Sequence, residues 1–335
     1  MIFFEDTIFK LIFFEILFFI IIILNYKKIS KKLKLFDFPN EKRKIHNNPV
    51  SVIGGVLLYL IISINSYYFG KYYELNNLFL ISTLIIITAF FLIGYLDDLN
   101  KLKLNPKIYL ILFFIFFLIS INQNFIISKV YIEYFDKNIF LFNFSLVFTL
   151  LCIFLLFNAI NLMDGANGIL LSFFLFFYTI FFWKTNFIFY SVNIFLILIL
   201  IIFNLRTKLF SGNSGANSIS IFFAVVIITS YNYDLQLNSE KISAELIFII
   251  LIIPGLDMLR VFSERIFNNI NPFKADNNHF HHLLMKKINK KYVFIPYLIF
   301  SILPYCLVLT GMNKILIISF TLILYISAIN YLKKI

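Results

Sequence analysis

Apolar runs of about 17–25 residues recur from one end of this chain to the other, each enough to cross about 30 Å of hydrocarbon as a helix. They lie at roughly 7–25, 50–69, 78–96, 108–121, 144–161, 168–183, 187–204, 218–231, 243–258, 293–311 and 314–332. Of the 335 residues, 61% are hydrophobic and 20% aromatic. Soluble domains are nearer about 45–50% apolar, so this excess cannot be hidden in one globular core. No soluble domain and no Pro- or Ser-rich linker interrupts the runs. The expectation is an all-α, polytopic integral membrane protein with about 10–11 transmembrane helices, formed as a single domain over 1–335. A further interfacial segment is expected in "NFIISKVYIEYF" (124–135). The first run does not read as a signal peptide, because Glu5 and Asp6 precede it and no small-residue cleavage site follows. Cys152 and Cys306 fall inside apolar runs without a CxxC pair, so they read as packing residues and thiolate zinc is disfavoured.

Lys and Arg set the expected orientation. With the N-terminus outside, the inner loops and the C-terminal tail hold 22 of the 29 basic residues, as the positive-inside rule prefers. The net charge of +12 is then mainly a topological signal, and it sets a basic surface against anionic membrane lipids. Nucleic acid is not an expected partner, because the charge is divided among loops between apolar runs. The polar clusters fall on the same inner side.

Five clusters could carry chemistry. Asp97 and Asp98 end a long apolar run in "GYLDDLNK". A carboxylate pair is costly inside the bilayer, so it belongs at the interface or in an aqueous cavity. It is either a solvated helix end or a site for a divalent cation, since magnesium commonly takes one or two carboxylates plus water and substrate phosphates. In "FNAINLMDGANGIL", Asn158, Asn161 and Asp164 recur every third residue and would line one side of a helix. Asn167 continues the row, with Gly165 and Gly168 loosening the backbone; the plainer alternative is a helix ending in a turn. "SGNSGANS" places Gly212, Asn213 and Gly215 in a turn before a new run. Backbone N–H groups there could approach phosphate, although small-residue loops are common. In "EKRKIHNNP", Lys44 and His46 could bind phosphate or lipid headgroups, or the stretch could be purely topogenic. Lastly, Asp257, Arg260, Glu264 and Arg265 follow at helical spacing, then Asp276, His279, His281 and His282 in "DNNHFHH". The histidine spacing lacks the HExxH pattern of zinc sites, and histidines beside arginines suit a diphosphate better.

In order and spacing these clusters resemble the polyprenyl-phosphate N-acetylhexosamine-1-phosphate transferase superfamily (glycosyltransferase family 4), over roughly 35–290. Asn161, Asp164 and Gly165 match its N-x-x-D-G-x-D-G motif. Gly212 and Gly215 match its G-D-x-G loop. Asp276, His279, His281 and His282 match the D-x-x-H-x-H-H loop of the branch using UDP-N-acetylglucosamine and undecaprenyl phosphate. The resemblance implies a magnesium-dependent enzyme, with manganese as a substitute. It would sit in the plasma (inner) membrane with its active site facing the cytoplasm. It would move N-acetylhexosamine-1-phosphate from a UDP-sugar to polyprenyl phosphate, releasing UMP, as the first membrane step of a cell-envelope glycan such as lipopolysaccharide O-antigen. It further implies Asp97, Asp98 and Asp164 as catalytic residues and Asp97, Asp98 and Asn213 around the metal. Asn161, Lys44, His46, Arg265, Asp276, His279, His281, His282, Gly212 and Gly215 would bind substrate. Asn167 and Asn213 stand where the family has Asp; this departure raises a weakened or inactive scaffold as one alternative, and a lipid or sugar transporter is the other. A homodimer is left open.

Overall fold

The computed structural model describes residues 2–39, 48–183, 185–237, 242–272 and 276–334. In chain order its main elements are α1 (Ile2–Leu24), α2 (Tyr26–Leu33), β1 (Phe36–Asp37), β2 (Val50–Ser51), α3 (Gly54–Tyr72), α4 (Asn77–Asp98) and α5 (Leu104–Ile121). There follow β3 (Lys129–Ile132), β4 (Lys137–Phe140), α6 (Ser145–Asn161), α7 (Ile169–Phe182), α8 (Phe187–Leu205) and α9 (Gly212–Leu237). The chain closes with α10 (Ala244–Ile250), α11 (Ile252–Phe267), α12 (Phe280–Met285), α13 (Phe294–Leu309) and α14 (Lys314–Lys333).

Every predicted apolar run is helical. Among the described residues seven helices are long and apolar enough to span a membrane, or nine if two bent pairs count as one span each. This is fewer than the 10–11 expected. α7 has only 14 residues, and α3, whose second half reads "INSYYFGKY", does not reach the required apolarity. The bent pairs have local causes. α1 and α2 meet at 79°, where an apolar helix gives way to the lysine-rich "YKKISKKL", a segment suited to lying along an interface. α10 and α11 meet at 76°. Pro254 has no N–H for the carbonyl of Ile250 and its ring would clash there, so α10 ends at Ile250 and Pro254 falls in the first turn of α11. Part of the segment read as interfacial forms an antiparallel hairpin, β3 paired with β4 from Lys129↔Phe140 to Ile132↔Lys137. β3 carries Val130, Tyr131 and Ile132 and β4 Ile139 and Phe140, all residues that favour strands, and the Glu133–Phe135 turn is followed by Asp136 in the left-handed region.

The chain forms two compact units. The first holds Met1–Phe125 and Phe174–Val226. In it α3 packs on α4 and α1, α4 on α5, and α1 on α8. The start of α9 is rich in small residues, and two glycines let neighbouring helices come close. A Cβ on Gly55 would stand 2.1 Å from Ser214 Oγ, and one on Gly94 would stand 2.4 Å from the Asn213 carbonyl oxygen. Small residues serve membrane helices this way because close van der Waals packing, not water exclusion, holds them together. The second unit holds Ile126–Phe173 and Ile227–Ile335. There α11 packs on α6, α13 and α14, and α12 lies against α13 and α14. The hairpin is tied to the same unit: Tyr231 Oη accepts the Tyr131 N–H at 2.6 Å, and Glu245 accepts the Glu133 and Tyr134 N–H groups at 3.1 Å each.

Candidate active site

In the first unit, Asp98 is the last residue of α4 and reaches the first turn of α9. Its Oδ1 accepts the Asn213 N–H at 2.7 Å and the Asn213 Nδ2–H at 3.1 Å. Its Oδ2 accepts the Ser214 N–H at 3.0 Å and the Ser214 hydroxyl at 2.8 Å. The first amides of a helix have no partner within it, and an anion is favoured there. Asp98 thus caps α9 from 115 residues away. Gly212 makes this approach feasible: its φ is +64°, and a Cβ would come within 2.7 Å of Asp98 Oδ2. Two of the amides that the glycine-rich turn could offer to phosphate are therefore committed to Asp98. Gly215 packs against Leu58 and Gly55, where a Cβ would crowd both.

Asp97 is placed differently. Its Oδ2 is bonded to Lys107 Nζ at 2.6 Å, and the pair is partly open to solvent. Both oxygens of Asp98 already accept two hydrogens each, so Asp97 is the member of the pair with acceptor capacity to spare. Among the described residues no group of three or more His, Cys, Asp or Glu side chains is arranged to hold a metal ion.

In the second unit, α6 ends at Asn161, and Asp164 and Gly165 lie in the turn beyond it. The helical row expected through Asp164 is therefore broken: Asn158 and Asn161 are helical, and Asp164 is not. The α6 cap already bonds back to Asn158, and Gly168, with φ +84°, is a position that disfavours continuing the helix. Gly165 is seated against the Nε2 edge of the buried His281. A Cβ at this position would lie 1.9 Å from His281 Nε2, so only glycine fits.

Around it, α11 and the histidine segment form one hydrogen-bonded network. His279 Nδ1 pairs with Asp257 Oδ2 at 2.9 Å. Asp257 Oδ1 accepts from Arg260 at 2.7 Å, from the Phe280 N–H at 2.9 Å and from the Tyr325 hydroxyl at 2.9 Å. Arg265 donates to Asp276 Oδ2 at 2.9 Å and to the Pro272 carbonyl, and its other nitrogen stands 3.5 Å from His279 Nε2. The His279 and His281 rings lie parallel, with centroids 5.8 Å apart, and His282 sits 4.1 Å from His281. Burial works to raise the Asp276 carboxyl, but the Arg265 guanidinium and the Asn278 N–H outweigh it and hold the group below the usual carboxylate range.

Burial, then the neighbouring His282, pushes His281 well below the usual histidine range, so it is neutral. An unfolded histidine takes up a proton near about pH 6.5. Below that pH the unfolded chain gains a proton that folded His281 refuses, so stability falls with pH. We expect the melting temperature in detergent to drop as pH falls from about 7.5 to about 5, and His281→Leu to reduce that drop. An unchanged pH slope in the variant would reject the assignment.

The sequence-derived residues thus fall into two groups. Asp97, Asp98, Gly212, Asn213 and Gly215 belong to the first unit. Asn161, Asp164, Arg265, Asp276, His279, His281 and His282 belong to the second. Lys44 and His46 lie outside the described residues. Tyr325 is absent from the sequence-derived clusters, and Asp257 stands in one of them without an assigned role. Asp257 had a signal in its i, i+3 spacing to Arg260; Tyr325, deep in the apolar run of α14, had none.

A model of glycosyl transferase family 4 matches residues 80–231. Several curated proteins named undecaprenyl-phosphate alpha-N-acetylglucosaminyl 1-phosphate transferase are similar to the chain. The one from Escherichia coli (strain K12) is 26% identical over 272 residues, covering 78% of this chain and 71% of that protein. The one from Thermotoga maritima is 26% identical over 275 residues, covering 82% and 81%. The one from Yersinia pestis is 25% identical over 283 residues, covering 78% and 72%.

Proposed function

We propose that this chain, whose residues 80–231 match the model of glycosyl transferase family 4, is a member of that family and transfers N-acetylglucosamine-1-phosphate from UDP-N-acetylglucosamine to undecaprenyl phosphate, releasing UMP. It is a multi-pass membrane protein, and in this reading it works in the inner membrane with its polar loops toward the cytoplasm. The observation that carries the proposal is the seating of the Asp164–Gly165 turn on His281, within a network that already holds Arg265, Asp276 and His279. Acid, imidazole and guanidinium groups held in one hydrogen-bonded network suit a nucleotide diphosphate.

The chemistry needs little proton transfer. The acceptor is a phosphomonoester with a second pKa of about 6, so it is mostly dianionic at neutral pH. One of its oxygens attacks the phosphorus that bears the sugar, and the bond from that phosphorus to the oxygen bridging to UMP breaks. A new diphosphate joins lipid and sugar, and UMP leaves. Catalysis then rests on positioning and on stabilising charge. Asp257 holds His279 with its Nδ1 committed, which leaves Nε2 facing Arg265. Arg265, fixed by Asp276, would present its remaining N–H groups to phosphate oxygens. Magnesium, when bound, would neutralise the diphosphate as charge builds on the leaving group. Asp97, partly open and bonded through one oxygen to Lys107, would be the carboxylate of the pair to hold such an ion.

The test is release of labelled UMP from UDP-N-acetylglucosamine by the purified protein in detergent, with and without undecaprenyl phosphate and magnesium. Release that requires both is expected. Silence with this donor, in protein shown to be folded, would reject the reading.

A further inference from the structure

Glu15 lies in the middle of α1, only 2% exposed, and neither of its carboxyl oxygens has a hydrogen-bond partner. One turn earlier, Ile12 packs with Tyr68 of α3 and Phe189 of α8, and Ile16, Ile64 and Val192 extend that cluster. The extension runs forward along α1 and α8 and backward along α3. The next layer in that direction is polar. It holds Asn65, one turn before Tyr68, and Asn193, one turn after Phe189, joined by a 2.7 Å bond from Asn65 Nδ2 to Asn193 Oδ1. Glu15 stands between Ile12 and Ile16 of that cluster in the α1 sequence. Tyr178 of α7 is wholly buried with an unpartnered hydroxyl, and it interacts electrostatically with Glu15, Tyr68 and Tyr190.

The donors and acceptors of this layer can be counted. The two amide hydrogens of Asn65 are spent on the Ile61 carbonyl at 2.7 Å and on Asn193. Asn193 donates to the Phe189 carbonyl at 3.0 Å. Tyr68 Oη already accepts the Asn186 N–H. Four polar atoms of these side chains have no partner among the described residues: Glu15 Oε1, Glu15 Oε2, Asn65 Oδ1 and the Tyr178 hydroxyl. No cation partners Glu15, and an unpaired carboxylate amid helices in lipid is among the costliest arrangements a protein can hold. One proton on Glu15 removes the charge and turns one of its two acceptors into a donor.

We propose that Glu15, Asn65 and Tyr178 form a proton-binding site within the membrane helices, in which Glu15 is a neutral carboxylic acid. Its O–H donates to Asn65 Oδ1, and its carbonyl oxygen accepts from the Tyr178 hydroxyl, directly or through a bridging water. Tyr178 is the titratable side chain that interacts with Glu15, and Tyr68 and Tyr190 act in turn on Tyr178.

Infrared difference spectra of the full chain in lipid nanodiscs test this without reference to transferase activity. The wild type at neutral pH should show the carbonyl stretch of a protonated carboxylic acid, lost in Glu15→Gln. Tyr178→Phe should move that band to higher frequency, because its carbonyl loses a donor. A difference spectrum holding only carboxylate bands would overturn the proposal, and a band unmoved in Tyr178→Phe would overturn the link to Tyr178. Thermal unfolding gives an independent check. Glu15→Gln, which offers a donor and an acceptor in the same place, should keep the wild-type melting temperature, whereas Glu15→Leu should lower it. Equal losses in the two variants would also overturn the arrangement.

Discussion

Asp98→Ala is expected to cost about 2–4 kcal/mol of stability, the combined scale of a lost helix cap and of charge-assisted hydrogen bonds. Four hydrogen bonds disappear at once, and two backbone amides of α9 are left without an acceptor. Asp98→Asn should be intermediate, because its amide nitrogen must turn one pair of donors away. Asn213→Asp should also destabilise. It removes the donor facing Asp98 Oδ1 and sets two carboxylates side by side, which is tolerable only with a cation between them. Adding magnesium should therefore raise the melting temperature of Asn213→Asp more than that of the wild type. Turnover in Asp98→Ala should fall by about 10²-fold if the start of α9 shifts by about an ångström. Thermal unfolding and UMP release, measured on the same preparations, check both parts. An Asp98→Ala protein that melts and turns over like the wild type would show that the cap is idle.

The second large effect is expected at Asp257. Removing it takes the nearer of two carboxylates from Arg260, which keeps Glu264, and frees His279, Tyr325 and the Phe280 amide. Breaking a buried ion pair from one side costs about 3–5 kcal/mol, so Asp257→Ala should be poorly folded or strongly destabilised. His279→Ala should separate the two roles of the network. Asp257 keeps three of its partners in that variant, so the melting temperature should stay close to wild type. Turnover should drop by about 10²-fold, the scale of one lost charge-stabilising donor. The comparison is made by unfolding and UMP release on the two variants. If His279→Ala lost stability as heavily as Asp257→Ala while the little folded protein remained active, His279 would be structural only.

The helices were legible because apolarity is a local property: each span declares itself within about 20 residues. The motif residues were legible through type and spacing. What could not be read were the partners. Asp98 and Asn213 are 115 residues apart, and nothing in "LDDLN" states that its second acid ends on another helix. The same holds for Asp257 and His279, which are 22 residues apart and joined by a turn of the chain that no local rule dictates. The bend at Leu251 was foreshadowed by Pro254, whereas the break between α6 and Asp164 was hidden by an i, i+3 pattern that suits a helix equally well. The hairpin was obscured by its length: its strands have four residues each, too short for alternation to stand out from an aromatic-rich background.

The capping of α9 also bears on how the protein is made. A ribosome emits Asp98 long before it emits Asn213 and Ser214. The first turn of α9 therefore emerges with its acceptor already synthesised, and it can settle only where α4 has been inserted in register. A chain with α4 misplaced would carry open amide groups at the head of a helix that is otherwise apolar and closely packed. Quality-control proteases that recognise polar defects in membrane segments would have a ready target there. Pulse-chase turnover of Asp98 variants in growing cells would thus report on assembly order, separately from catalysis.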